Sequence, residues 1–80
     1  MIKSVHHPKY RALVKWLISA RKRQGLTVRD LAELLNERHS VIVKIETRSR
    51  KLSALEYYQY CKALKLEPID GIQILENTEE

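Results

Sequence analysis

One cysteine in 80 residues, Cys61, excludes an intrachain disulfide framework and any zinc site built on several thiolates. Gly25, Gly71, Pro8 and Pro68 are the only glycines and prolines, too few for a collagen-like or linker-like chain. No apolar run approaches the 18 or so residues that a membrane span needs. The opening Met1-Ile2-Lys3-Ser4-Val5-His6-His7-Pro8 lacks the apolar core of a signal peptide, and with a lone thiol this makes a cytoplasmic location the expectation. There is no glycine-rich phosphate loop and no evident pair of catalytic acids. A chain this short has no room for a substrate cleft, so neither an enzyme nor a cofactor is expected. His6 and His7 have no third ligand in view and read as a solvated end rather than a metal site.

What is present is an ordinary folding balance, 44% hydrophobic against 31% charged, which fits one domain over residues 1–80. The net charge of +5 hides a strong asymmetry. All fifteen Lys and Arg lie in residues 1–65, against five acids there, for +10; residues 66–80 carry five acids and no cation, for −5. A basic body with an acidic end points to a polyanionic partner, nucleic acid first.

Apolar spacing predicts helices throughout. Tyr10, Leu13, Val14, Leu17 and Arg21 recur at three and four, giving a helix over about 8–24 with Pro8 in its first turn and Gly25 as its left-handed stop. Trp16 flanks that stripe as a core-edge residue. Thr27 and Asp30 form an Asp version of the capping box, flanked by Leu26 and Leu31 as a staple. The second helix, about 28–35, should turn Leu31, Leu34 and Leu35 inward, with Ala32 allowing close approach. Asn36-Glu37-Arg38 breaks the pattern, and a third helix over about 39–47 follows, with Ile42 and Ile45 spaced for the core. After the basic loop Thr47-Arg48-Ser49-Arg50-Lys51, Ser53 and Glu56 repeat the capping box before a helix over about 54–64. Cys61 should be a small core residue of that helix, whereas Tyr57, Tyr58 and Tyr60 cannot all face inward. Glu67-Pro68 opens a short fifth element with Ile69, Ile72, Ile74 and Leu75. Five helices joined by short turns make an all-α domain with its core at about 9–76 and an acidic tail at 77–80.

Two short helices around a three-residue turn, about 28–47, form a helix-turn-helix unit, whose second helix enters the DNA major groove. The string Gly25-Leu26-Thr27-(x3)-Leu31-Ala32-(x9)-Ile42-(x2)-Ile45-Glu46 resembles the lambda repressor/Cro-type helix-turn-helix family, the xenobiotic response element group. Arg50-Lys51-Leu52, Leu55-Glu56 and Ala63-Leu64 continue the resemblance, ungapped over about residues 13–68. It implies a compact five-helix domain in which His39, Ser40 and Lys44 face base edges, with Arg38 and Val43 beside them. It also implies that Thr27, Val28 and Arg29 abut the phosphate backbone, and that Arg48, Ser49, Arg50 and Lys51 approach phosphates. Arg21 and Glu46 would form a partly buried structural salt bridge. The chain departs from the family at Val28, where Gln is usual, at Asn36 and Arg48, where Gly is usual, and at Arg38, a poor helix cap.

The expected function is therefore sequence-specific binding of double-stranded DNA by a small transcriptional regulator. It would act as a homodimer on an inverted repeat, with Ile69, Ile72, Ile74 and Leu75 available for the dimer contact. Beside phosphates His39 would favour its charged form, so binding should tighten as pH falls from about 8 to 6. Two rivals use the same fold: a protein-binding role, such as an antitoxin paired with a toxin, for which the acidic tail argues, and RNA binding.

Overall fold

The computed structural model describes residues 1–79; Glu80, the last residue of the acidic tail, lies outside them. Five helices follow in order: α1 (Pro8–Arg23), α2 (Val28–Leu34), α3 (His39–Glu46), α4 (Ala54–Ala63) and α5 (Pro68–Asn77). Among the described residues there is no strand. The helix starts follow the sequence signals. Both capping boxes form: Thr27 Oγ1 accepts from Asp30 N at 3.0 Å while Thr27 N donates to Asp30 Oδ2 at 2.8 Å, and Ser53 and Glu56 repeat the exchange.

His7 departs from its expected role as a solvated end. Its Nδ1 accepts from Lys9 N at 3.1 Å and caps α1, and Lys9 Nζ reaches the far end of the chain, donating to Leu75 O and Thr78 O at 2.7 Å each. The N-terminus of α1 is thereby tied to the C-terminal carbonyls of α5.

Four helices stop in the same way. After each of α1 to α4 one residue takes positive φ, and the next N–H bonds back to the carbonyl five residues earlier. The bonds are Leu26 N to Arg21 O, Glu37 N to Ala32 O, Ser49 N to Lys44 O and Leu66 N to Cys61 O. Only one of these left-handed residues is glycine, Gly25; the others are Asn36 (φ 52°), Arg48 (φ 60°) and Lys65 (φ 59°). A side chain there costs roughly 1–2 kcal/mol, less for Asn. Lys65 is exposed and makes no side-chain hydrogen bond among the described residues. Lys65→Gly should therefore stabilise the protein by about 1 kcal/mol and raise Tm by about 4–8 °C, read by thermal denaturation.

The core gathers Leu17 and Ala20 of α1, Leu31 and Ala32 of α2, Ile42 and Ile45 of α3, and Tyr60 and Leu64 from the α4 end. Trp16 packs at its edge and Cys61 is fully buried. α1 packs on α5 and α3, α2 on α3, and α4 on α5. Of the tyrosines only Tyr60 is buried; Tyr57 is half-buried and Tyr58 exposed. Leu34 corrects the sequence reading. It is 58% exposed rather than inward. Leu31, Leu35 and Ala32 span about 100° of the α2 wheel toward the core, and Leu34 falls about 60° outside that sector, beyond Leu31.

The two capping carboxylates make the fold acid-sensitive. Hydrogen bonds from Thr27 hold Asp30 below the usual carboxylate range, and Arg50, then Ser53, do the same for Glu56. Because both are depressed in the folded state, their contribution is complete above the ordinary carboxylate range. It is lost as pH falls through the lowered folded values. The Asp30→Asn/Glu56→Gln variant should show a flatter acid limb when stability is followed by denaturant titration across pH 2–6.

Candidate nucleic-acid interface

α3 has one face in the core and one in solvent. At 100° per residue, Ile42, Ile45 and half-buried Val41 occupy an arc of about 100°, while His39, Val43, Thr47, Ser40 and Lys44 occupy about 140° on the other side. All five of those side chains are exposed. His39, Ser40, Val43 and Lys44 are thus brought together on one surface, and Thr47 joins them. The sequence places Thr47 where the third helix meets the basic loop and gives it no contact role; its position four residues after Val43 and three after Lys44 is the helical signal that puts it on this arc. Its Oγ1 donates to Val43 O at 2.8 Å and lies 3.1 Å from Ser49 Oγ.

Arg38 stands at the N-cap of α3, exposed, without a side-chain cap bond, so the first turn of α3 retains outward N–H groups. Glu37 Oε1 accepts from Arg38 N at 3.0 Å. Arg29 and His39 both line a shallow depression of about 210 Å³, together with Glu33 and Glu37. The three residues placed at the start of α2 do not behave alike. Arg29 is exposed, Thr27 is committed to the capping box with Asp30, and Val28 packs against the core.

The loop after α3 is held in place from three sides. Arg50 N donates to Lys44 O at 3.2 Å, Leu52 N to Tyr10 Oη at 3.1 Å, and Arg50 Nη2 to Glu56 Oε2 at 2.5 Å. Arg50 is therefore bound to the cap of α4, whereas Lys51 is exposed and Arg48 half-buried. Neither the sequence spacing nor the resemblance signals this pairing of Arg50.

Arg21 joins the helices that aim this surface. Its Nε and Nη2 donate to Glu46 Oε2 and Oε1 at 2.7 and 2.9 Å, and its Nη1 donates to Leu26 O at 2.8 Å. One guanidinium thus fixes the last residue of α3 against α1 and against the entrance to α2. Arg21 is 8% exposed, with Glu46 nearly as covered.

Among the described residues no helix is long and apolar enough to cross a membrane. No curated protein matches the chain. A helix-turn-helix family model matches residues 17–71. Among solved structures, an XRE-family-like protein from Pseudomonas syringae pv. tomato str. DC3000 is 30% identical, with a TM-score of 0.82 over 90% of this chain and 88% of that one. The clp gene regulator ClgR from C. glutamicum is 26% identical, with a TM-score of 0.73 over 82% of this chain and 86% of that one. With its five helices, its exposed α3 arc and these likenesses, the chain belongs to the helix-turn-helix family of the lambda repressor, or xenobiotic response element, type.

Proposed function

We propose that this DNA-binding helix-turn-helix protein is a transcriptional regulator that reads double-stranded DNA by sequence, as a homodimer on an inverted repeat, and is not an enzyme. The observation that carries the reading is the exposed arc of α3, where His39, Ser40, Val43, Thr47 and Lys44 stand clear of the core. An α-helix fits the major groove, where hydrogen-bonding side chains distinguish the four base pairs and Val43 can meet a thymine methyl. Arg29, Arg38, Arg48 and Lys51 flank the arc and supply the salt-dependent, sequence-independent part of the affinity. Arg50, bound to Glu56, serves mainly to hold the loop.

The dimer contact rests on α5. Ile69 and Ile72 are 57% and 43% exposed, Ile69 on the side of α5 opposite Gly71 and Ile72 at the edge of the α1 contact, beside Lys9 and Leu75, whereas Ile74 and Leu75 are half-buried. Two copies joined there would meet half-sites about one helical turn apart. Ile72→Asp should turn a dimer at micromolar concentration into a monomer by sedimentation equilibrium.

The base-reading claim is tested with His39→Ala and Lys44→Ala. Each should reduce discrimination between a preferred and a scrambled duplex by about 5- to 150-fold, the equivalent of about 1–3 kcal/mol per contact. Equal loss on both duplexes would reduce these residues to phosphate contacts. A duplex RNA of the same sequence should compete poorly, because its deep, narrow major groove does not admit side chains. A second reading, a protein-binding adaptor such as an antitoxin, draws on exposed Leu34, Leu55 and Tyr58. Its signature would be co-purification with a basic protein partner.

A further inference from the structure

A basic groove runs along α1, beside the C-terminal end of α3. It encloses about 480 Å³ and is bounded by Arg11, Lys15, Ile18 and Lys22 on one wall and by Glu46 and Arg48 on the other. At 100° per residue, Arg11, Lys15, Ile18 and Lys22 fall within about 60° of the α1 circumference, and the steps from Arg11 to Lys22 give a row about 16 Å long. Leu13 and Trp16, which meet Gly71 of α5, lie on the opposite side of α1. The acids of α5 therefore flank the far side of the helix, and the basic row is not facing them.

Local structure does not account for these cations. Among the described residues the ion pairs are Arg21–Glu46 and Arg50–Glu56, so Arg11, Lys15 and Lys22 have no carboxylate partner. The helix dipole favours Lys22 in the last turn but opposes Arg11 near the N-terminus, where no acid compensates it. Lys9 differs: its ammonium is used by Leu75 O and Thr78 O. The single acid in the groove, Glu46, is already neutralised by the two-point bond from Arg21. What remains is a row of uncompensated positive charge that runs into Arg48, at the head of the basic loop.

We infer that this groove is a second phosphate-binding track, which takes the sugar–phosphate backbone of the duplex beyond the stretch covered by α3. The row spans the rise of about five phosphates on one strand. Ser19, half-buried beside it, adds a hydroxyl of the kind that bonds phosphate oxygens. The inference rests on the reading that α3 faces duplex DNA. It adds that the footprint extends along α1, and that part of the salt dependence originates there.

Binding to a nonspecific duplex of about 24 base pairs, followed by fluorescence anisotropy across salt, tests it. Lys15→Gln/Lys22→Gln is compared with Lys62→Gln/Lys65→Gln, which removes the same charge from the end of α4. All four residues are exposed, so both variants should fold. If the groove binds phosphates, the slope of log Kobs against log salt becomes shallower by about 1.8 in the α1 variant and by less than about 0.5 in the α4 variant. Equal changes in the two variants would reduce the effect to net charge and overturn the track, as would an unchanged slope in the α1 variant. The two readings fail separately. Loss of sequence discrimination in His39→Ala and Lys44→Ala with an unchanged α1 slope removes the track and leaves base reading by α3. A shallower α1 slope with discrimination intact removes base reading and leaves the track.

Discussion

Glu46→Ala should destabilise the protein by about 3–5 kcal/mol, the cost of leaving a buried charge without its partner. Arg21 is 8% exposed and gives two of its three hydrogen bonds to Glu46; only the bond to Leu26 O would survive. A domain of this class has about 5–15 kcal/mol in total, so the loss is a large share of it. Urea denaturation would read it as a lower midpoint at unchanged slope. The effect comes from an orphaned charge rather than from a strongly stabilising pair. Arg21→Met/Glu46→Leu should accordingly lose less than either single change, because apolar residues of similar volume replace a buried pair at little cost. A single variant that loses under about 1 kcal/mol would show that Arg21 finds solvent or another partner. Since Glu46 ends α3, the same variant should bind DNA weakly even where it remains folded.

Gly71→Ala should cost about 1–3 kcal/mol through overpacking. A methyl at this position would collide with Tyr57 Oη and come within 2.7 Å of Trp16 Cζ3 and 2.9 Å of Leu13 Cδ1. Tyr57 cannot easily retreat, because its hydroxyl donates to Pro68 O at 2.5 Å. Trp16 and Leu13 belong to α1, so relief requires α5 to move off α1. That movement also strains the bonds from Lys9 to Leu75 O and Thr78 O. We expect a lower Tm together with weakened self-association, since α5 carries Ile69 and Ile72. A variant with the stability and mass of the parent would mean that α5 is not held by this contact.

Helix starts were legible in the sequence because capping is local chemistry. Thr27 with Asp30 and Ser53 with Glu56 lie three residues apart, and the bonds they predict are the ones observed. Helix ends were less so. Gly25 announces a left-handed residue, but Lys65 does not. Its φ of 59° follows from the chain's path out of α4, with Leu66 N returning to Cys61 O, and no side-chain preference records it. Leu34 looked inward because any leucine fits an apolar stripe; a helix of seven residues has room for a narrower buried sector than its leucines suggest. At the candidate site, the α3 arc could be drawn from a helical wheel. The engagement of Arg50 with Glu56 across a turn, and of Val28 with the core, depends on how the loop and α2 settle on their neighbours. The family resemblance anticipated the pairing of Arg21 with Glu46, but not the third bond to Leu26 O, which belongs to the turn before α2.

Selection of bound duplexes from a random pool by the full chain tests the central claim most directly. If the exposed face of α3 reads bases as part of a two-fold dimer, an inverted repeat with half-sites about one helical turn apart should emerge, and Lys44→Ala should alter or erase the preferred half-site. Recovery of a pool no different from the starting one, with binding that depends on salt alone, would contradict it.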